Sequence, residues 1–186
     1  MSLTLLSPPA AEPLTLQELK DHLRVIDAAE DALINGVLVA AVRSIEARGR
    51  LALTPQQWRL TLDLPPEETL FLPIAPVASI DAVTVTDNDA APQPVANSLY
   101  EFAAGSPGRL RRAGPWPQPG VALDGVQIDF TAGYADASAV PEPLKQAIKI
   151  LAAHFFETRA AARETRTYSV PQSVDALIAP YRELRL

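Results

Sequence analysis

The 186-residue sequence contains no cysteine and only two histidines. The absence of thiols excludes disulfide bonds and thiolate metal sites as sources of stability or chemistry. His22 and His154 each stand alone, since neither has a second histidine or a facing carboxylate at metal-site spacing. We interpret both as partly buried residues of predicted helices, and we predict neither a metal site nor a cofactor.

Long hydrophobic runs are also missing. No window reaches the roughly 18 consecutive apolar residues of a membrane-spanning helix. The first residues, Met1 to Leu6, lack the basic start of a secretory signal. We therefore expect a soluble protein that is made in the bacterial cytoplasm and has no membrane partner.

Positive charge is scarce as well. The chain has 16 Lys and Arg against 22 Asp and Glu, which gives a formal net charge of -6. A protein that grips nucleic acid over its whole surface needs a basic footprint, so this balance argues against a dedicated DNA-binding protein. A hydrophobic content of 48% favours a folded chain, and the length suits one domain.

The sequence lacks the usual signatures of catalysis. None of the 8 glycines forms a phosphate-binding or dinucleotide-binding loop. The segment 105–108 lacks the spacing of a nucleophile elbow, and we predict a β-turn there. The paired acids at 67–68 and at Asp87 and Asp89 provide too few oxygen ligands for a calcium loop. We therefore predict that the protein is not an enzyme.

Hydrophobic periodicity predicts two pairs of helices, one near each end of the chain. Thr15 and Glu18 have the spacing of a capping box and would begin the first helix. Gly49 is predicted as the C-cap of the second helix. The second pair follows Pro141, and Ser173 would cap its short last helix.

Between the helix pairs the pattern changes to the alternation of β-strands. Trp58–Leu64 and Val126–Thr131 alternate apolar with polar residues, and shorter strands are predicted at 69–72, 79–86 and around Tyr100. The predicted fold class is α+β, with a mainly helical core of about four helices and an inserted small antiparallel β region. Its predicted segments are an irregular N-terminal arm (1–13), a helix pair (15–50), a β insertion (56–134), a second helix pair (141–179) and a tail (180–186).

Two groups of arginines are candidate contact surfaces. One group lies beside Trp116 on a predicted hairpin edge, and the other lies along the third helix and its exit. These residues are Arg109, Arg111 and Arg112, and Arg159, Arg163 and Arg166. They either form solvated faces or internal ion pairs, or they contact an acidic neighbouring subunit or passing DNA, and the negative net charge favours the subunit. Trp116 is either a plug on its own core or an exposed anchor for a partner.

The C-terminus is unusually apolar for a free tail. After the last predicted helix come Tyr181, Arg182, Leu184, Arg185 and Leu186. The segment either folds back on its own helices or docks into a groove on a partner, and the residues leave both alternatives open.

Several segments in this order resemble the phage head-tail connector (adaptor) family, which includes the adaptors of gene transfer agents. The matching segments are Leu14–Arg24, Asp31–Glu46, Trp58, Leu72–Val77, Trp116–Pro117, Phe130–Tyr134, Val140–Pro141, Leu144–Ile148, Glu157–Arg159 and Leu177–Arg182. Each motif is weak alone, and the specific signal is their order and spacing across residues 14–182. Two departures are Ile74, where members often have Arg, and Gly49, where members often have Gly directly after Glu46.

The resemblance implies a structural component of the virion neck, in a phage or a gene transfer agent particle. Members form a ring, usually a dodecamer, below the portal protein, and the ring extends the DNA channel towards a tail or stopper protein. DNA would pass through without sequence-specific binding. The resemblance assigns portal binding to the C-terminal residues 181–186. Alternatives are a tail-completion or tail-terminator ring protein, which the helical pattern disfavours, and a DNA-binding regulator, which the negative charge disfavours. A small hydrolase would need a nucleophile and base that the two histidines do not provide.

Overall fold

The protein, described here by a computed structural model, divides into two compact units. The structure describes residues 1–67, 69–161 and 170–182, and at 159–161 it describes the backbone alone. The first unit comprises Met1–Ala10 and Pro55–Tyr134, and the second comprises Ala11–Thr54 and the chain from Ala135 onward. Strands make up the first unit and helices the second, so the predicted α+β class is confirmed.

The described residues contain four α-helices and eight strands. The helices are α1 (Leu16–Leu23), α2 (Asp31–Gly49), α3 (Glu142–Ala161) and α4 (Gln172–Ile178). The strands are β1 (Ser2–Ser7), β2 (Gln56–Leu62), β3 (Leu70–Phe71), β4 (Val77–Thr86), β5 (Pro92–Pro94), β6 (Tyr100–Ala103), β7 (Arg109–Arg112) and β8 (Val126–Ala132).

Helices from both ends of the chain share the core of the helical unit. Apolar side chains at helical spacing on α2 and α3 are fully buried, because that spacing keeps them on one face of each helix. They are Ile34, Leu38, Ile45, Leu144, Ile148 and Leu151. The predicted capping box begins α1: the Glu18 amide donates to Thr15 Oγ1 at 3.2 Å, and the Thr15 amide donates to Glu18 Oε2 at 2.7 Å.

Two predicted helix caps are wrong. Gly49 is the last residue of α2, and the C-cap is Arg50, whose φ of 55° is left-handed. Gly49 has a packing role instead, because a Cβ there would lie 2.7 Å from Leu51 Cδ1. Ser173 lies inside α4, which begins at Gln172 after an N-cap proline that makes no side-chain cap bond.

The β unit contains two antiparallel sheets. The larger has the strand order β1-β2-β8-β4-β5 and the smaller has the order β3-β7-β6. In β8, Val126, Ile128 and Phe130 are buried while the residues between them are half-buried, as the alternation predicts. On the opposite face, Arg59 binds Asp129 of the neighbouring strand through two hydrogen bonds of 2.6 and 2.7 Å.

The structure adds the strands β1 and β5 to those predicted, and β1 lies in the segment predicted as an irregular arm. Within the 1–13 segment, β1 forms an edge of the larger sheet and pairs Leu3 with Leu60 and Leu5 with Trp58. The alternation signal is missing there because Ser2–Leu6 are all exposed, which removes the contrast between two faces. The strand β5 was missed because Pro92 and Pro94 suit only an edge position.

Candidate interaction surfaces

The first arginine group lies on β7, in a hairpin with β6 as the sequence indicates. β7 is the middle strand of its sheet, so the predicted edge position is wrong. Leu110 is fully buried, while Arg109 and Arg111 on either side of it are exposed. Arg111 Nη2 lies 2.8 Å from Glu101 Oε2 on the paired strand. Arg109 and Arg111 therefore lie on one exposed face of β7, and Arg111 is paired within the chain.

Trp116 is the plug on its own core. Its side chain is 3% exposed, and Nε1 donates a hydrogen bond of 2.9 Å to the Leu99 carbonyl. The indole also meets the ring of Tyr100 edge-on, with centroids 6.3 Å apart. Burial raises the pKa of Tyr100 above its ordinary value. The alternative of Trp116 as an exposed partner anchor is wrong, because its polar and apolar atoms are already engaged within the chain.

Several candidate residues fall outside the part of the chain that the structure describes. For the second arginine group these are the side chain of Arg159 and the whole of Arg163 and Arg166. For the C-terminal segment they are Leu184, Arg185 and Leu186. Their contacts therefore stay predictions.

Arg182, the last described residue, is bound to its own helical unit. Its Nη2 donates to Asp175 Oδ1 at 2.8 Å, and Arg48 Nη1 from α2 reaches the same oxygen at 3.3 Å. Tyr181, which ends a short 3-10 turn after α4, is half-buried. An ion pair with Asp175 therefore fixes the position of Arg182, and Asp175 also pairs with Arg48.

A partly buried cluster of Glu12, Arg43 and Glu46 anchors the segment that precedes α1. Arg43 donates to Glu12 Oε1 at 2.6 Å and to Glu46 Oε2 at 2.5 Å, while Glu46 Oε1 accepts from the Leu53 amide at 2.9 Å. Burial outweighs the nearby arginine and raises the pKa of Glu12 above its ordinary value. The cluster ties residue 12 to α2, which is a structural function.

Sequence reasoning missed Phe71 and Asp175. Phe71 is 51% exposed on β3, directly opposite Arg109 in the ladder. An aromatic in a two-residue strand between prolines gave no periodic signal that would mark it as exposed. The pairing of Asp175 with Arg182 could have been predicted, because the two residues are only seven positions apart. Its bond to Arg48 could not, because that bond joins residues 127 positions apart.

Residues 1–67, 69–161 and 170–182 contain neither a metal-binding cluster nor a membrane-spanning helix. No group of three or more metal-binding side chains occurs there. None of the helices described has the length and apolarity needed to cross a bilayer.

The comparisons with known proteins agree on one kind of particle. The family model of the head completion proteins matches residues 12–184. A solved chain from the "Virion of native gene transfer agent (GTA) particle" is 33% identical with a TM-score of 0.83, and the match covers 100% of this chain and 97% of that chain. Chains from the neck of an empty GTA particle computed with C6 symmetry and of a native GTA particle computed with C12 symmetry are both 32% identical. Each has a TM-score of 0.80 and the same coverage. No curated protein matches this chain.

Proposed function

The chain belongs to the head completion protein family, and from that premise we propose that it is an adaptor subunit in the neck of a phage or gene transfer agent particle. It forms a ring beneath the portal, extends the DNA channel and joins head to tail. The observation that carries the proposal is the full-length similarity to chains from GTA virions and necks, at 32–33% identity. The role is structural and requires no catalytic residue.

A ring of identical copies is supported by the symmetry of the similar particles. The two neck structures were computed with C6 and C12 symmetry, so the chains in them are related by rotation. A rotational ring uses a head-to-tail interface in which one patch of each copy meets a different patch of the next. Because the same contact recurs around the axis, a modest interface in each copy is enough to close the ring.

The C-terminal segment is the proposed portal-binding element. Arg48 and Arg182 both bind Asp175, so Arg182, the last described residue of this segment, has a defined position. Leu184 and Leu186 provide apolar side chains that a groove on the portal would bury. Tyr181 and Arg182 then orient the segment at its base.

A pull-down against assembled portal from the same gene cluster tests this proposal. Three versions of the chain are compared: full length, one ending at Arg182 and one ending at Ala179. We expect full-length protein to bind and both truncations to lose binding, with the version ending at Arg182 keeping the Asp175 ion pairs and the fold.

The outcomes separate the two parts of the proposal. If the truncations bind as well as full-length protein, the adaptor role stands and the tail assignment is wrong. If no version binds and the protein is also absent from purified particles, the adaptor role itself is wrong. Capture by tail protein but not by portal would favour the tail-terminator alternative.

A further inference from the structure

The outer face of the smaller sheet combines an exposed aromatic ring with arginines. In the ladder, Phe71 of β3 is paired with Arg109 of β7, which is paired in turn with Ala103 of β6. Paired residues of an antiparallel ladder project to the same face, so these three side chains are neighbours. Leu110 projects to the other face and is fully buried, which holds β7 in place.

The two arginines of this face differ in their partners. Arg111 is already neutralised by Glu101 at 2.8 Å. Arg109 is exposed and, within the described residues, has neither an ion pair nor a side-chain hydrogen bond. Phe71 and Arg109 therefore form a patch, the Phe71–Arg109 patch, with an apolar surface and an uncompensated positive charge. Aromatic and arginine side chains are the types enriched at the centres of protein interfaces.

The Phe71–Arg109 patch carries positive charge in a unit whose net charge is negative. Residues 1–10 and 55–134 contain nine Asp and Glu against four Arg. Three of those arginines are on β7, and the fourth, Arg59, is bound to Asp129. Within the described residues, the side chains of Glu67, Asp89 and Asp124 make neither ion pairs nor hydrogen bonds, and all three are exposed. Within the described residues, the unit thus has an unpaired arginine on β7 and three exposed, unpaired carboxylates.

We propose that the Phe71–Arg109 patch is the surface by which each copy binds exposed carboxylates of the β unit of the next copy in the ring. The proposal rests on the proposed function, which supplies the ring. Two positive patches repel each other, whereas a positive patch and an acidic surface attract, so the charge distribution favours head-to-tail contact over a two-fold dimer. DNA is a poorer partner, because the unit has nine carboxylates against four arginines and its net negative charge repels phosphates.

Photo-crosslinking in assembled particles identifies what covers the patch. Phe71 is replaced by p-benzoylphenylalanine, which keeps an aromatic ring at the position, and purified particles are irradiated. We expect a crosslinked product of two copies of this chain, identified by its mass and peptides. The same residue introduced at Ile26, which is 96% exposed and belongs to the helical unit, controls for random collisions.

The other outcomes are distinct. A crosslink from position 71 to portal, tail protein or DNA, or no crosslink, overturns this inference while leaving the adaptor role intact. A two-copy product of equal yield from position 26 overturns it too. Absence of the chain from the particles overturns the proposed function and this inference together.

A matched pair of substitutions tests the charge. Arg109→Gln and Arg111→Gln remove the same charge from the same strand, but only Arg111 has an internal partner. We expect Arg109→Gln to lower the amount of chain retained per particle by roughly tenfold, and Arg111→Gln to change it little. Equal effects of the two variants, with both shown by thermal unfolding to be folded, would contradict the inference.

Discussion

At the scale of single residues, the two tryptophans occupy sites with different hydrogen bonding. Trp116 donates its indole hydrogen to the Leu99 carbonyl at 2.9 Å, while the buried Nε1 of Trp58 has no partner in the described structure. An unpaired buried donor costs stability, whereas a paired one contributes to it. The indole N–H group therefore stabilises the fold at Trp116 and costs stability at Trp58.

The pair of sites gives a direct prediction. Trp116→Phe should lower the free energy of unfolding by about 1 kcal/mol through the lost hydrogen bond, in addition to the cost of the smaller ring. Trp116→Ala should lower it by about 3–5 kcal/mol because it leaves a cavity. Urea unfolding followed by circular dichroism measures both values.

Trp58→Phe is the matched control for this prediction. It makes the same reduction in ring size but breaks no hydrogen bond, so its loss should be smaller than that of Trp116→Phe. A loss as large at position 58 would show that ring volume, and not the bond to Leu99, explains the effect.

At the scale of elements, the helix starts differ in how they are capped. The start of α1 has a complete capping box between Thr15 and Glu18, and that of α4 has no side-chain cap. Hydrogen bonds from Thr15, first from its backbone and then from its side chain, lower the pKa of Glu18 below its ordinary value. The stabilisation from this cap is therefore present above the ordinary glutamate pKa and declines as the pH falls through the lowered one.

Substitution at the two helix starts tests this difference. Thr15→Ala should lower the free energy of unfolding by about 1 kcal/mol near neutral pH, whereas Ser173→Ala should change it by no more than about 0.5 kcal/mol. Chemical unfolding at neutral pH gives both values. Repeating the measurement in acid should show a smaller effect of Thr15→Ala, because protonated Glu18 no longer accepts both bonds. An equal effect at position 173 would argue for a cap there.

At the scale of the whole molecule, the net charge and its distribution determine which classes of partner the chain can bind. The formal net charge is -6, and the first unit has its positive charge concentrated on β7. A duplex-binding regulator would need a larger basic surface than one strand provides. A ring component, by contrast, needs only local complementarity between neighbouring copies.

Binding to DNA distinguishes these two classes of protein. We expect the isolated chain to bind a labelled duplex no more tightly than about 10⁻⁴ M at physiological salt, the weak end of non-specific binding. Fluorescence anisotropy across a salt series measures the affinity and its slope. Submicromolar binding with a steep salt dependence would instead support the regulator alternative.

The sequence by itself determined what depends on neighbouring residues. The capping box of α1, the buried face of α2 and the alternation in β8 were all predicted from spacing and confirmed, because short-range hydrogen bonds and one-sided burial leave a periodic trace. The order of motifs also indicated the adaptor family. Where burial is one-sided over several residues, the secondary structure and its buried face can be predicted from the sequence alone.

Only the tertiary structure decided which distant residues meet. The pairing of β1 with β2, the bond between Arg48 and Asp175 across 127 positions, and the neighbours Phe71 and Arg109 leave no periodic trace. The indole of Trp116 likewise donates its hydrogen bond to Leu99, which precedes it by 17 residues. Strand register and packing, which the whole chain sets together, determine these partners. Within the described residues they also leave Arg109 unpaired while Arg111 is bound to Glu101.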